Sequence, residues 1–281
     1  MSVITLGIAS DEVKFVRNLL ANKSQGSPQG DSCGFAFACE GLWAADKLIS
    51  CGLKVTHFFV NSEIDYMAIP ECRRMIDYAD KTYAISHKAC MKISERDGAD
   101  DFFIVALLPR LTLKDIELKD NMVISILDGL EQPGNIGAIL RSIDCAGGSC
   151  CITTHKRVKK THSRLIRSSL GAAFTMPHIE ADYDELTKWL VENKFKIILT
   201  DLTAKIPYYQ VDYTGRVAIV SGNEYNGISA SWRDLPGAIP IIIPMLGSSE
   251  SLNVGFATTL VAYEAGLRQH LGKNTLVNNS N

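Results

Sequence analysis

What the sequence lacks narrows its chemistry before any motif is considered. Its 281 residues contain no CxxC pair and no HExxH, and neither the six histidines nor the eight cysteines form a close cluster. A metal site is therefore not expected. The cysteines at 33, 39, 51, 72, 90, 145, 150 and 151 read as small apolar side chains of a reducing compartment. The adjacent Cys150 and Cys151 would point to opposite faces of a strand. Apolar runs are short and broken by Pro or Gly, so no helix here is expected to span a bilayer. The start, MSVITLGIASDEV, lacks the basic opening and long apolar stretch of a signal peptide. A cytoplasmic protein with no membrane partner is expected. Walker A and G-x-S-x-G sequences are missing, and QPGNIG is not the GxGxxG of a dinucleotide turn.

Bulk charge is lacking too. Twenty-nine basic against 31 acidic residues leave a net charge of −2, which does not by itself suggest a nucleic-acid partner. The distribution says more: HKRVKKTHSRLIR packs six basic residues between Lys156 and Arg167. Such a patch is a local footprint for phosphate, or equally a solvated helix or loop. With 46% hydrophobic and 21% charged residues, the remainder is ordinary for a globular protein of one large or two modest domains.

Read in order, the chain alternates strand and helix. DEVKFVRNLLA is an amphipathic helix, and the Gly/Ser/Pro-rich KSQGSPQGDSCG is a mobile loop. FAFACEG, VTHFFVN, TYAIS and DFFIVALL are strands; LWAADKLISCG, PECRRMIDYADK and HKACMKISE are helices, the first stopped by Gly52. This describes a compact α/β domain over 1–108, followed by a polar linker at 109–121. From Met122 a second series begins, with strands at VISILD, SCCITT, FKIILT, GRVAIVSG and AIPIII. LIRSSLGAAF, YDELTKWLVENK and a last helix from about Ser251 lie between and after them. Buried strands joined through helices predict a mainly parallel sheet covered on both faces over 122–281.

Three loops of this second half carry polar residues of interest. Asn135 stands at a helix start after the first strand, and Arg141 lies under two turns on, on roughly the same face. Gly222 and Gly227 flank Asn223 and Glu224 in a turn after GRVAIVSG. Gly247, Ser248, Ser249 and Ser251 offer backbone amides after IPIII, and Ser251 or Asn253 is suited to cap the last helix. Taken singly, Arg141 reads as an ordinary surface arginine and Glu224 as a solvated loop acid.

Together, NIGAILR (135–141), GNEYNGI (222–228) and IPMLGSSESLNV (243–254) resemble the three motifs of the SpoU family of RNA ribose 2′-O-methyltransferases, in the family's order. Asn135, Arg141, Glu224, Ser251 and Asn253 fill all five polar positions of those motifs, and Arg167-Ser168-Ser169-Leu170-Gly171-Ala172 is similar to the family's R-x-S-x-G-A. One departure is Gly255, where the family usually has Ser. The resemblance implies a C-terminal domain threaded into a trefoil knot, where connection rules alone would predict none. It also implies a small ribosomal-protein-like RNA-binding domain before it.

The same resemblance implies S-adenosylmethionine as cofactor, held by Thr200, Gly222, Asn223, Ile243, Met245 and Leu252. It implies catalysis by Asn135, Arg141, Glu224, Ser251 and Asn253, and a homodimer in which Arg164, Arg167 and Ser168 meet RNA. Family analogy often makes Arg141 a general base, but a guanidinium keeps its proton far above neutral pH. A phosphate clamp that stabilises the emerging 2′-oxyanion suits it better. The expected substrate is ribosomal RNA before transfer RNA, with an antibiotic-resistance target sharing the architecture. The alternatives are a catalytically silent RNA-binding or ribosome-assembly protein, and a small-molecule methyltransferase or dinucleotide enzyme.

Overall fold

The computed structural model describes residues 3–23, 34–94, 98 and 100–271. Of the expected mobile loop, 24–33 lie outside the described residues. The chain forms two compact units, Met1–Arg110 with Lys160–Thr175, and Leu111–Lys159 with Met176–Asn281. The sequence-based division keeps 122–281 together, so the assignment of Lys160–Thr175 to the first unit is a correction.

The first unit is built on a five-stranded mixed sheet. Its strands are β1 (Val3–Thr5), β2 (Phe35–Glu40), β3 (Val55–Asn61), β4 (Lys81–Ile85) and β5 (Phe102–Leu108), in the order β1-β4-β3-β5-β2. β1, β4 and β3 run parallel, and β5 pairs antiparallel with both β3 and β2. The helices are α1 (Asp11–Leu20), α2 (Ala45–Ser50), α3 (Pro70–Tyr78) and α4 (His87–Ile93). Ser10 and Ser86 cap α1 and α4 through their hydroxyls, each 3.3 Å from a first-turn amide. α1 and α4 cover one face: Val13, Val16, Ala89 and Ile93 cluster with Phe59, Phe103 and Val105. Every residue of β5 is buried, which is why FFIVALL is continuously apolar. β1 escaped the sequence reading because three residues are too few to show a period.

Local packing explains why Lys160–Thr175 joins this unit. Phe174 stacks on Phe37 with ring centroids 5.4 Å apart, and Leu165 and Ile166 are buried. Ser163 donates its backbone N–H to Asn22 Oδ1 at 2.9 Å, and Asn22 Nδ2 donates to Ser163 Oγ at 3.1 Å. Lys160, 5% exposed, lies 4.2 Å from the Phe35 ring centroid and donates to the Pro109 carbonyl at 3.2 Å. The single helix expected at LIRSSLGAAF is two, α5 (Ser163–Ser168) and α6 (Ala172–Thr175), because Leu170 and Gly171 both take positive φ.

The second unit carries β6 (Met122–Asp128), β7 (Cys150–Thr154), β8 (His178–Glu180), β9 (Lys196–Thr200), β10 (Ile206–Pro207), β11 (Arg216–Ser221) and β12 (Ile239–Ile242). Their order is β10-β12-β9-β11-β6-β7-β8, and every pairing is parallel. The first long helix, α7 (Pro133–Cys145), follows β6; α8 (Tyr183–Glu192), α9 (Ala230–Arg233) and α10 (Val254–Leu271) come later. Leu186, Leu190 and Trp232 pack with Ile124, Ile152 and Val220 on one face. Val261, Ala262 and Ala265 pack with Val123, Ile219 and Ile198 on the other. The chain steps from β6 outward to β8, then resumes beyond β11, so the order reverses between β6 and β11. In open parallel sheets a ligand crevice lies outside the carboxyl ends of strands at such a point.

Burial pushes the Cys150 thiol up to about 12, and Cys151 is raised as well, so both are inert apolar fill. Among the described residues no helix is long and apolar enough to cross a membrane.

α10 lies so close to the end of α7 that a Cβ on Gly266 would overlap the Ala146 carbonyl oxygen. In an open helix, Gly→Ala gains about 1 kcal/mol. Here Gly266→Ala is expected to destabilise by about 1–3 kcal/mol, measured as a lower midpoint in urea unfolding at unchanged slope.

Candidate active site

A cavity of about 560 Å³ opens at the carboxyl ends of β9, β11 and β12. Its walls come from the α7 start, the turn after β11, and the segment from Ile243 to Ala257. Ligand sites commonly measure roughly 300–1,000 Å³.

The turn after β11 is held by backbone geometry. Asn223 and Gly227 exchange two N–H to carbonyl bonds of 2.9 Å each. A Cβ on Gly222 would overlap the Gly227–Ile228 peptide, so only glycine fits there. Asn223 spends its side chain on the same turn: Oδ1 accepts from Tyr225 and Asn226 amides at 2.9 and 3.0 Å, and Nδ2 donates to the Gly129 carbonyl at 2.8 Å.

This turn aims Glu224 at the start of α7. Its carboxylate accepts backbone N–H bonds from Glu131 (3.0 Å) and Gln132 (3.1 Å), and Asn135 Nδ2 donates to it at 3.0 Å. The helix begins at Pro133, two residues before the expected start, and no side chain at the Gln132 cap position bonds its free amides. Glu224 supplies that anion from 92 residues away. Burial raises the Glu224 carboxyl, but the Glu131 amide, the Asn135 side chain and the Gln132 amide outweigh it and hold it below the usual carboxylate range.

The network continues. Asn253 Nδ2 donates to Asn135 Oδ1 at 3.2 Å, and Asn253 Oδ1 accepts the Gly255 N–H at 2.8 Å. Of the two expected caps for α10, Asn253 is the one that acts. Gly255 matters to that bond: a Cβ there would stand 3.0 Å from Asn253 Oδ1, so a side chain would press on the cap. Three loops, from after β6, β11 and β12, are thus joined through Glu224, Asn135 and Asn253.

Of the eleven residues expected to be catalytic or to hold the cofactor, ten line the cavity: Asn135, Glu224, Ser251 and Asn253, with Thr200, Gly222, Asn223, Ile243, Met245 and Leu252. Arg141 does not. It is exposed on α7, and among the described residues no hydrogen bond or ion pair reaches it. Arg164, Arg167 and Ser168 belong to the first unit, on α5; both arginines are exposed, and Ser168 Oγ donates to the Leu165 carbonyl at 3.2 Å. Sequence reasoning missed Gln132, Asp201 and Tyr225 on the lining. Asp201 directly follows β9, and an acid at the end of a buried strand was the available signal. Burial raises its carboxyl, yet Thr203 and the Arg233 guanidinium, 3.0 Å away, bring it below its ordinary range.

These residues fit S-adenosylmethionine. Ile241, Ile243, Met245 and Leu252 give apolar walls, and two ionised carboxylates, Asp201 and Glu224, suit a cationic sulfonium.

Because Glu224 is depressed in the folded state, its stabilisation is complete above the unfolded glutamate value, about 4.3, and is lost as pH falls through the lower folded value. Wild type should therefore exceed Glu224→Gln in thermal stability by a constant margin near neutrality, a margin that shrinks in acid. A margin independent of pH would refute the assignment. Gly222→Ala should abolish cofactor binding in calorimetry, because the turn must open to admit a methyl group.

The family model described as SpoU rRNA Methylase family matches residues 122–263, half of the chain. The 23S rRNA (uridine(2479)-2'-O)-methyltransferase of Streptomyces viridochromogenes is 28% identical over 199 residues, 68% of this chain and 69% of that enzyme. The 23S rRNA (guanosine-2'-O-)-methyltransferase of Escherichia coli K12 is 35% identical over 147 residues, so the match spans 52% of this chain and only 60% of its relative. A crystal structure of an RNA 2'-O ribose methyltransferase shares the fold at TM-score 0.76 and 27% identity, covering 96% of this chain and all of that one. The SpoU methyltransferase AviRb from Streptomyces viridochromogenes, in complex with the cofactor AdoMet, superposes at TM-score 0.80 over 92% of this chain and 98% of its own, at 22% identity. The chain belongs to the SpoU rRNA Methylase family.

Proposed function

We propose that the protein methylates a ribose 2′-hydroxyl of structured RNA, ribosomal RNA above all, with S-adenosylmethionine as donor. The observation that carries this is the three-loop network Glu224–Asn135–Asn253 on the rim of a cavity suited to that cofactor. Relatives named as 23S rRNA 2′-O-methyltransferases favour ribosomal RNA.

The bound cofactor supplies an electrophilic methyl group on a sulfonium. A ribose hydroxyl is a poor nucleophile near neutral pH, so orientation and charge stabilisation carry the rate. Gly222, Ile243, Met245 and Leu252 hold the adenosine; Thr200 and Asn223 keep the strand end and the turn in shape. Asn135, Asn253 and Glu224 fix the rim, and Ser251 orients the ribose. Arg141, without a partner among the described residues, is free to clamp an RNA phosphate and to stabilise the emerging 2′-oxyanion; the proton leaves to phosphate or water.

The finer features of the family belong to the same reading. A trefoil knot at the C-terminus is supported by the reversal of strand order and by the packing of α10 on α7, β6 and β11. A homodimer is supported by the outer side of α10, where Phe256, Leu260, Tyr263 and Leu267 are exposed at helical spacing. The first unit is the RNA-binding domain and carries Arg164, Arg167 and Ser168 on α5; residues 109–121 link it to the cofactor domain. The protein works in the cytoplasm, where its substrate is.

Calorimetry with S-adenosylmethionine and tritiated-methyl transfer onto bacterial ribosomal RNA test the proposal. Binding together with labelled ribose is expected, and binding of RNA without any cofactor binding would sink it. Arg141→Ala should lower turnover at least about a hundredfold (some 2.7 kcal/mol of barrier) while cofactor affinity stays unchanged. A monomer at micromolar concentration that still methylates would overturn the dimer.

A further inference from the structure

A column of three aromatic rings runs from the core of the first unit to its surface. Phe37, fully buried, stacks on Phe174 with centroids 5.4 Å apart and planes at 28°. Phe174, 8% exposed, stacks in turn on Trp43, at 6.2 Å and 17°. Trp43 is 39% exposed, so exposure rises along the column and the column ends in solvent on an indole. The partly exposed indole is backed by two packed rings, which hold it as a fixed amphipathic surface on which a partner can stack.

The surroundings say what covers it. Lys47 lies four residues after Trp43, and its aliphatic chain rests against Gly171 in the turn between α5 and α6. Neither Lys47 nor Arg167, the exposed cation preceding that turn, has an ion-pair partner among the described residues. Asp46, the neighbouring acid, is occupied by Arg74, whose Nε and Nη2 donate to it at 3.1 and 2.7 Å. Asp100, beside Gly41, accepts the Phe102 N–H at 3.2 Å. A partly exposed ring with Lys47 four residues on, a cation with no ion-pair partner among the described residues, matches an unpaired nucleotide, whose base stacks and whose phosphate is neutralised. An apolar protein partner would not need the cation.

We infer that Trp43 is a stacking platform for an unpaired base of the RNA substrate, with Lys47 contacting the adjoining phosphate. Resting on the methyltransferase reading, it adds a nucleotide site in the first unit, away from the residues of the transfer itself. Lys160–Thr175 is then more than a loop, since Phe174 is the middle ring that keeps the indole fixed.

The test uses the full chain. Tryptophan emission is followed while an in vitro 23S rRNA transcript, and separately a short oligouridylate, is titrated in. Of the three tryptophans, Trp232 is fully buried and Trp189 packs on Phe195. Quenching in wild type that disappears in Trp43→Phe is therefore the signature of stacking at this position. Trp43→Ala should weaken RNA binding about tenfold or more and raise KM with kcat little changed. Lys47→Gln should weaken binding and flatten its salt dependence. Cofactor binding by calorimetry should be unchanged in all three variants.

RNA methylated by wild type, with affinity and quenching unaltered in the Trp43 variants, overturns the site and leaves the enzyme reading intact. Self-association lost in Trp43→Ala, with RNA binding untouched, assigns the surface to a second copy and overturns the RNA site. No methylation and no RNA binding by a wild-type protein that binds cofactor overturns both readings together.

Discussion

The arrangement of the candidate site depends on one carboxylate meeting one helix end. The free amides at the start of α7 carry partial positive charge and have no local cap. Glu224 supplies the missing acceptor from the turn after β11, and by doing so fixes the separation of two loops that the chain leaves far apart. Asn135 then bonds both ways, to Glu224 and to Asn253, and Asn253 caps α10. Glu224 and Asn253 satisfy backbone amides at helix starts, and Asn135 ties the two side chains together. The residues that shape the rim therefore also stabilise it, so stability and preorganisation have the same source.

The parallel sheet determines where this can happen. Because every strand of the second unit runs the same way, the loops after β6, β9, β11 and β12 emerge at one end. The order reverses between β6 and β11, so the α7 start and the β11 turn meet at the ends of adjacent strands, and the cavity opens beside them at the ends of β9, β11 and β12. Backbone closeness does the rest: the Gly222 turn and the Gly266 crossing both bring main chain where a side chain would not fit.

Much of this was legible beforehand. VISILD, FKIILT and GRVAIVSG read as buried strands because both faces of the sheet are covered, and they are β6, β9 and β11. Nine of the lining residues were nameable because they cluster in three short motifs, and Thr200 because it ends a buried strand. Tyr225 stands inside GNEYNGI but is not one of its polar motif positions, and Asp201 was not named, since its one signal, an acid closing a buried strand, carries no period or spacing. The two-residue β10 and three-residue β1 escaped for the same reason: too few side chains to alternate. Arg141, expected to be catalytic, stands six residues along the helix from Asn135, exposed and off the cavity lining.

By itself, then, the sequence determined the alternation of buried strands and helices, the three polar motifs and their order, and the glycines that close approach demands, because these are local consequences of side-chain size, branching and hydrogen-bonding capacity. Only the tertiary structure decided that Glu224 caps α7 from 92 residues away. It also decided that Lys160–Thr175 leaves its sequence neighbours to complete the first unit, with Phe174 between Phe37 and Trp43. Both are pairings between distant segments, selected by the burial and the charge that two surfaces offer each other, and no stretch of chain holds that information alone.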